Sequence, residues 1–392
     1  MHVLIHVLLI FTQSVTLGSP ITRDVPIAAT LLPDGSCGIL VQSHVPECPL
    51  TFQIVILAPG DDPVIVPLEM FIDDPVWPRG SGWTSDGMLS LIVSSYSTGQ
   101  EFSDIVTLTS EGVLIGSIRV PGSGQSLSVT RGKSYDINSL LPLYDGSGYW
   151  MSVDLVDNES WEVLSKTLFR LGIQGDTLWS GNISCPGYWM NPDVIRSMPD
   201  DGCAVGSDED GFNDLLYLSR ISSSGDLLWS VEIGTGGEMT HMVEDILPAD
   251  DGGTLVIASS DRFRMQDNCL ICLIDSEGKI VNEVFEAGLG HAVCTCGIPI
   301  EGGFLLDGWT GPVNEDWSIP VEENILLLRL NEYGTPMAME VIPSDDNREP
   351  LFILETRAGY LIIGTCWDDI YTYSDVFTML IARDEIPSGS SR

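Results

Sequence analysis

The stretch DGGTLVIASSDRFRMQDNCLICLIDSEGKIVNEVF, residues 251–285, decides the fold. Asp251-Gly252-Gly253 reads as a turn, and Thr254 to Ser259 as a short strand. A polar loop runs from Ser260 to Asn268, followed by a second strand from Cys269 to Ile274. Asp275-Ser276-Glu277-Gly278 is a tight turn, and Lys279 to Phe285 a third strand. Short apolar, β-rich runs bounded by Gly and Asp are what antiparallel hairpins require.

Moving outward, the same order returns on both sides. Gly202 leads into CAVGS, Gly302 into FLLDGW, Gly87 into MLSLIVSS, Gly35 into CGILVQS, Gly146 into YWMSVDLV and Gly359 into YLIIGTC. Seven such units follow one another, their first-turn glycines spaced 50–59 residues apart. Leu32-Pro33, Leu141-Pro142, Met198-Pro199, Leu247-Pro248 and Ile298-Pro299 stand just before five of these glycines. Proline suits a strand end, where its missing N–H is not needed by a ladder. The residues before each proline, such as Val243 to Leu247 or Val293 to Ile298, supply a fourth strand. Four antiparallel strands in about 50 residues is the size of a propeller blade. Each sheet exposes two apolar faces, and circling an axis buries both. The expectation is an all-β, seven-bladed β-propeller of four-stranded antiparallel blades over residues 19–385. A right-handed solenoid or a pair of small β domains is the competing arrangement. Ile21 to Val25 is expected to complete the last blade as its outer strand.

The pattern of a DGG turn, apolar strand, polar loop, strand and Ser-Gly-Asp-x-Leu-Trp resembles the blade repeats of quinoprotein-like bacterial propellers. It is also similar to repeat arrays of exported bacterial surface proteins. Gly175-Asp176-Thr177-Leu178-Trp179 and Gly225-Asp226-Leu227-Leu228-Trp229 carry the resemblance best. It implies that Trp179 and Trp229 dock on the following blade. Other units carry Asn282 or aliphatic residues there, and no set of quinone-binding residues accompanies the repeat.

Composition narrows the function classes. The chain holds 56 acidic and 17 basic residues, a formal net charge of -39. Such a field repels nucleic acid and anionic membranes and favours cations or basic partners. Val3 to Phe11 is an apolar run, and Thr16-Leu17-Gly18 offers small residues before Ser19, so residues 1–18 read as a signal peptide. That run is too short for a comfortable membrane span. The expected location is secreted, periplasmic or at the cell surface, with 386–392 a flexible Pro/Gly/Ser tail. Nine cysteines form no dense disulfide framework; Cys37 with Cys48 is the first pair to test.

Candidate chemistry is sparse. His241 and His291 occupy matching points of consecutive units and are expected near the mouth of an axial channel. Glu244 beside Asp245 offers a carboxylate there, and Trp77, Trp83, Trp189 and Trp309 lie in or beside loops suited to glycans or peptides. His291, Cys294 and Cys296 form the sharpest metal-ligand cluster. On a strand the two thiols share a side, and soft thiolates suit zinc or copper(I). Asp208 to Asp214 resembles a calcium loop in composition but lacks a closing glutamate. The expected function is a non-enzymatic binding or structural module with a protein or glycan partner and no required cofactor. The alternative is a glycan-acting hydrolase or lyase with its site in the axial funnel.

Overall fold

A computed structural model describes residues 11–15, 23–44, 51–58, 62–68, 81–84, 86–97, 100–119, 133–157, 163–183, 194–208, 216–234, 240–261, 268–285, 291–311, 324–344, 347–367, 374–383 and 386. Their strands pair into seven groups of four. After a first short strand, β1 (Phe11–Val15), blade 1 holds β2 (Arg23–Leu31), β3 (Cys37–His44), β4 (Thr51–Leu57) and β5 (Val64–Pro67). Blade 2 holds β6 (Ser81–Trp83), β7 (Leu89–Ser97), β8 (Gln100–Leu108) and β9 (Leu114–Arg119). Blade 3 holds β10 (Lys133–Pro142), β11 (Gly148–Asp157), β12 (Val163–Gly172) and β13 (Thr177–Ile183). Blade 4 holds β14 (Val194–Ser197), β15 (Cys203–Asp208), β16 (Leu216–Ile221) and β17 (Leu227–Ile233). Blade 5 holds β18 (Thr240–Pro248), β19 (Thr254–Asp261), β20 (Asn268–Ile274) and β21 (Ile280–Phe285). Blade 6 holds β22 (His291–Ile300), β23 (Gly303–Gly311), β24 (Asn324–Asn331) and β25 (Pro336–Ile342). Blade 7 takes β26 (Asn347–Glu355), β27 (Gly359–Trp367) and β28 (Ser374–Ala382), with β1 on its outer edge.

The first strand of each blade packs against the first strand of the next, and β26 returns to β2. The sheets therefore circle an axis, and the fold is a seven-bladed β-propeller. Each seam carries one buried apolar cluster. Leu40, Ile54, Leu89 and Leu108 fill the seam of blades 1 and 2. Ile39, Val41, Ile363 and Val376 fill the seam of blades 7 and 1. Burying both faces of every sheet is what the repeated apolar strands require.

Ring closure differs from expectation. β1, not Ile21 to Val25, pairs antiparallel with β28, matching Phe11 to Leu380 and Val15 to Val376. Residues from Arg23 onward are consumed by the nine-residue inner strand of blade 1, so they cannot reach the outer rim. A single parallel bridge, Arg23 to Ser374, links the two blades at the closure. β1 lies within the residues that read as a leader.

The outer strands latch each blade to the next. Val66 packs on Gly112, Ile118 on Gly175, Trp179 on Gly225, Trp229 on Gly278, and Asn282 beside Gly334. All five glycines lie in the turn before the next blade's outer strand and have positive φ, from 68° to 90°. The Trp229 indole N–H also donates to the Ser276 carbonyl at 3.1 Å, and the Asn282 amide donates to the Tyr333 carbonyl at 2.9 Å. Trp179 and Trp229 thus dock as their sequence context implies.

Candidate functional site

The two ends of the ring differ. At one end lie the turns between first and second strands, five residues long in blades 1 to 5. Aspartates lock them. Asp34, Asp145 and Asp251 each accept a hydrogen bond from the backbone N–H two residues on, at 2.8–2.9 Å. Part of the acidic excess is therefore turn chemistry rather than a free coat. At the other end, second strands connect to third strands and each blade connects to the next. These connections vary, from two residues between β7 and β8 to thirteen between β5 and β6 and between β9 and β10.

The axial wall is built from the inner strands, and five of them carry a bulge at a matching point. The extra residues are Ile27, Asn138, Glu244, Thr295 and Leu351. A bulge removes one residue from the alternation that sends its neighbours into the seams. Glu244 is the only carboxylate among the five. Ser259 Oγ donates to it. Burial pushes its carboxyl above the ordinary range, opposed by the Ser259 hydrogen bond and reinforced by the charges of Glu349 and Asp245.

Next to the bulges a polar network ties three blades. The Asp245 carboxylate, almost fully buried, accepts from the Arg196 guanidinium of blade 4 and from its neighbour's N–H, Ile246, at 2.8 Å. Its second oxygen accepts from Gly297 N–H of blade 6 at 3.3 Å. Arg196 also donates through Nε to the Ile246 carbonyl at 2.9 Å. In blade 6, Cys296 Sγ donates to Asp307 Oδ1 at 2.6 Å. Asp307 is fully buried, and its Oδ2 has no hydrogen-bond partner. Burial, against the Cys296 hydrogen bond and with help from Asp245, raises its carboxyl to about 7. Sequence reading missed Asp307, although its unit is the one that reads FLLDGW where others carry aliphatic or small residues.

The remaining expectations fare unevenly. His241 is the second residue of β18 and His291 the first of β22, opposite Ser260 and Gly311, at the loop-bearing end; their side chains lie outside the described residues. Trp309 sits half-buried in β23. Trp83 packs in the seam of blades 1 and 2. Trp77, Trp189, Cys48 and residues 209–215 lie outside the described residues. Cys294 and Cys296 do not share a side. The bulge at Thr295 places them at consecutive register positions, so Cys294 joins the seam of blades 5 and 6 and Cys296 that of blades 6 and 7. Cys269 hydrogen-bonds Cys294 within the former seam. Among the described residues, no three His, Cys, Asp or Glu side chains form a metal-holding group.

Comparison with known proteins adds the fold alone. The chain is similar to a protein of unknown function from Dyadobacter fermentans DSM 18053, at 10% identity and TM-score 0.53, over 95% of this chain and 99% of that one. It is also similar to a subtype N10 neuraminidase-like protein of A/little yellow-shouldered bat/Guatemala/060/2010, at 9% identity and TM-score 0.44, over 94% of this chain and 98% of that one. No family model matches the chain, and no curated protein matches it.

Proposed function

We propose that the protein is an exported propeller acting without catalysis, as a binding or structural module at or outside the cell envelope. Its partner, a protein or a glycan, docks on the loop-bearing end. The asymmetry of the ring supports this reading. One end repeats a five-residue turn in blades 1 to 5 and shortens it to two and three residues in blades 6 and 7, so it stays compact. The other varies its connections from two to thirteen residues on a fixed scaffold, as recognition surfaces do. Hub polar groups fit a structural role, since Asp245 is engaged by blades 4 and 6 at once.

The test uses the full chain on a glycan array and in pull-downs from an envelope extract. A saturable partner recovered with unchanged mass supports a binder. Replacing residues 312–323 by a short Gly-Ser link abolishes that binding while leaving the melting temperature in place. Cleavage of the bound glycan overturns the non-catalytic reading. It would favour a glycan hydrolase or lyase in the axial funnel, which the raised carboxyl of Glu244 supports as the second reading. In that case Glu244→Gln abolishes turnover.

A further inference from the structure

The seam that closes the ring is apolar along most of its height and polar at its loop-bearing end. Strand alternation fixes which residues share that polar compartment. In blade 1, Val41 belongs to the apolar seam cluster, and Ser43, two positions on, pairs directly with Asp24. In blade 7, Ile363 belongs to the same cluster, and Thr365, two positions on, pairs directly with Glu349. Ser374 stands two positions before Val376 on β28. Asp24 and Ser43 on one wall, and Glu349, Thr365 and Ser374 on the other, therefore line the same seam.

The compartment is rich in acceptors. Asp24 and Thr365 are fully buried, and Ser43 and Ser374 nearly so. Ser374 Oγ donates to the Asp24 carbonyl at 3.1 Å, and the Gln53 amide donates to Ser43 Oγ at 3.0 Å. The Trp367 side chain hydrogen-bonds Glu349, while burial pushes that carboxyl up. Asp375 adds further negative charge near Asp24. Thr365 Oγ1 is buried with no hydrogen-bond partner. A buried hydroxyl left unpaired costs about 1–3 kcal/mol unless something binds it. Glu349 and Trp367 are half-buried and Arg23, held 5.4 Å from the Trp367 ring, is exposed, so the compartment reaches the surface.

We propose that this end of the closing seam is a binding site for a primary ammonium group, carried by a free polyamine or by a lysine side chain. An ammonium has three N–H donors and no acceptor, which suits carboxylates and hydroxyls that line one seam from two blades. A hard metal ion fits less well, because among the described residues no three His, Cys, Asp or Glu side chains stand close enough together to hold one. The net charge of -39 draws cations toward the ring. Glu349 stands on an inner strand and its charge reaches Glu244, so the site adjoins the axial wall. Amine binding is read without any glycan or envelope partner, so its failure is distinct from the failure of either reading of the function.

Calorimetric titration and thermal shift of the full chain, at physiological salt, use spermidine in one arm and Nα-acetyl-lysine amide in another. Tetramethylammonium, with the charge but no N–H, is the control. Expected is saturable binding in at least one amine arm, a raised melting temperature, and no effect of tetramethylammonium. The arm that binds more tightly identifies the source of the ammonium. Glu349→Gln and, separately, Thr365→Val weaken binding tenfold or more, while Glu277→Gln, a remote loss of one charge, leaves it unchanged. No binding in either arm overturns the proposal. So does equal binding of tetramethylammonium, or equal weakening by Glu277→Gln. If Glu349→Gln fails to fold, Thr365→Val alone decides.

Discussion

Asp307 is a carboxylic acid with no route to water, one oxygen bonded to a thiol and the other to nothing. Cys296 from β22 and Asp245 from β18 face it, and Arg196 from β14 neutralises Asp245. The sign of its effect on stability follows from its proton. An unfolded chain gives that proton up near 3.8, the folded protein near 7. Between those values the folded state holds a proton that the unfolded state has lost, so stability falls as pH rises through the window and is flat above it. Chemical denaturation from pH 4 to 8 checks this. The wild-type midpoint drops across that range, and Asp307→Asn removes most of the drop. A profile unaltered by that substitution would show that Asp307 ionises normally.

At the scale of strands and turns, the five latches set the packing of one blade on the next. Adding a methyl to Gly278 would bring it within 2.7 Å of Trp229 Cγ, at a φ of 85° that side chains rarely adopt. Overpacking and the left-handed backbone together cost about 3 kcal/mol. Gly278→Ala is therefore expected to lower the melting temperature by several degrees. Gly252→Ala, which shares the backbone penalty but meets only Ser276 Cβ at 3.6 Å, costs about 1 kcal/mol. Differential scanning calorimetry on the pair separates the latch from the backbone. These hairpins were legible in the sequence because turn chemistry and two-residue alternation are local. The tryptophan latches were legible too, since Gly225 and Trp229 stand four residues apart in a repeated motif. The bulges were not. Nothing between Val293 and Gly297 announces that Thr295 drops out of register, and that one residue sends Cys294 and Cys296 into different seams. Nor could local pattern join Asp24 to Ser374, which meet only because two ends of the chain do.

Across the whole molecule, seven seams share the burial, but the last is made differently. Its outer strand, β1, comes from the opposite end of the chain. A protein beginning at Ser19 would lack β1 and leave one edge of β28 unpaired. We expect its melting temperature to lie below that of the full chain. Hydrogen exchange should quicken in Val376 to Leu380 and stay unchanged in blades 3 to 5. Equal exchange in both proteins would mean that another segment takes the place of β1.

The Ser374–Asp24 hydrogen bond joins residues 350 positions apart. Such a clasp sets the order of events in biosynthesis. While the ribosome is still adding blades, the nascent chain is an arc with a bare flank at each tip, and no amount of waiting can hide either. Only release of the final strand lets the tips meet. Truncation anywhere in the last blade should therefore be felt at residue 24, and a chaperone that guards the growing arc has its natural target at those two tips.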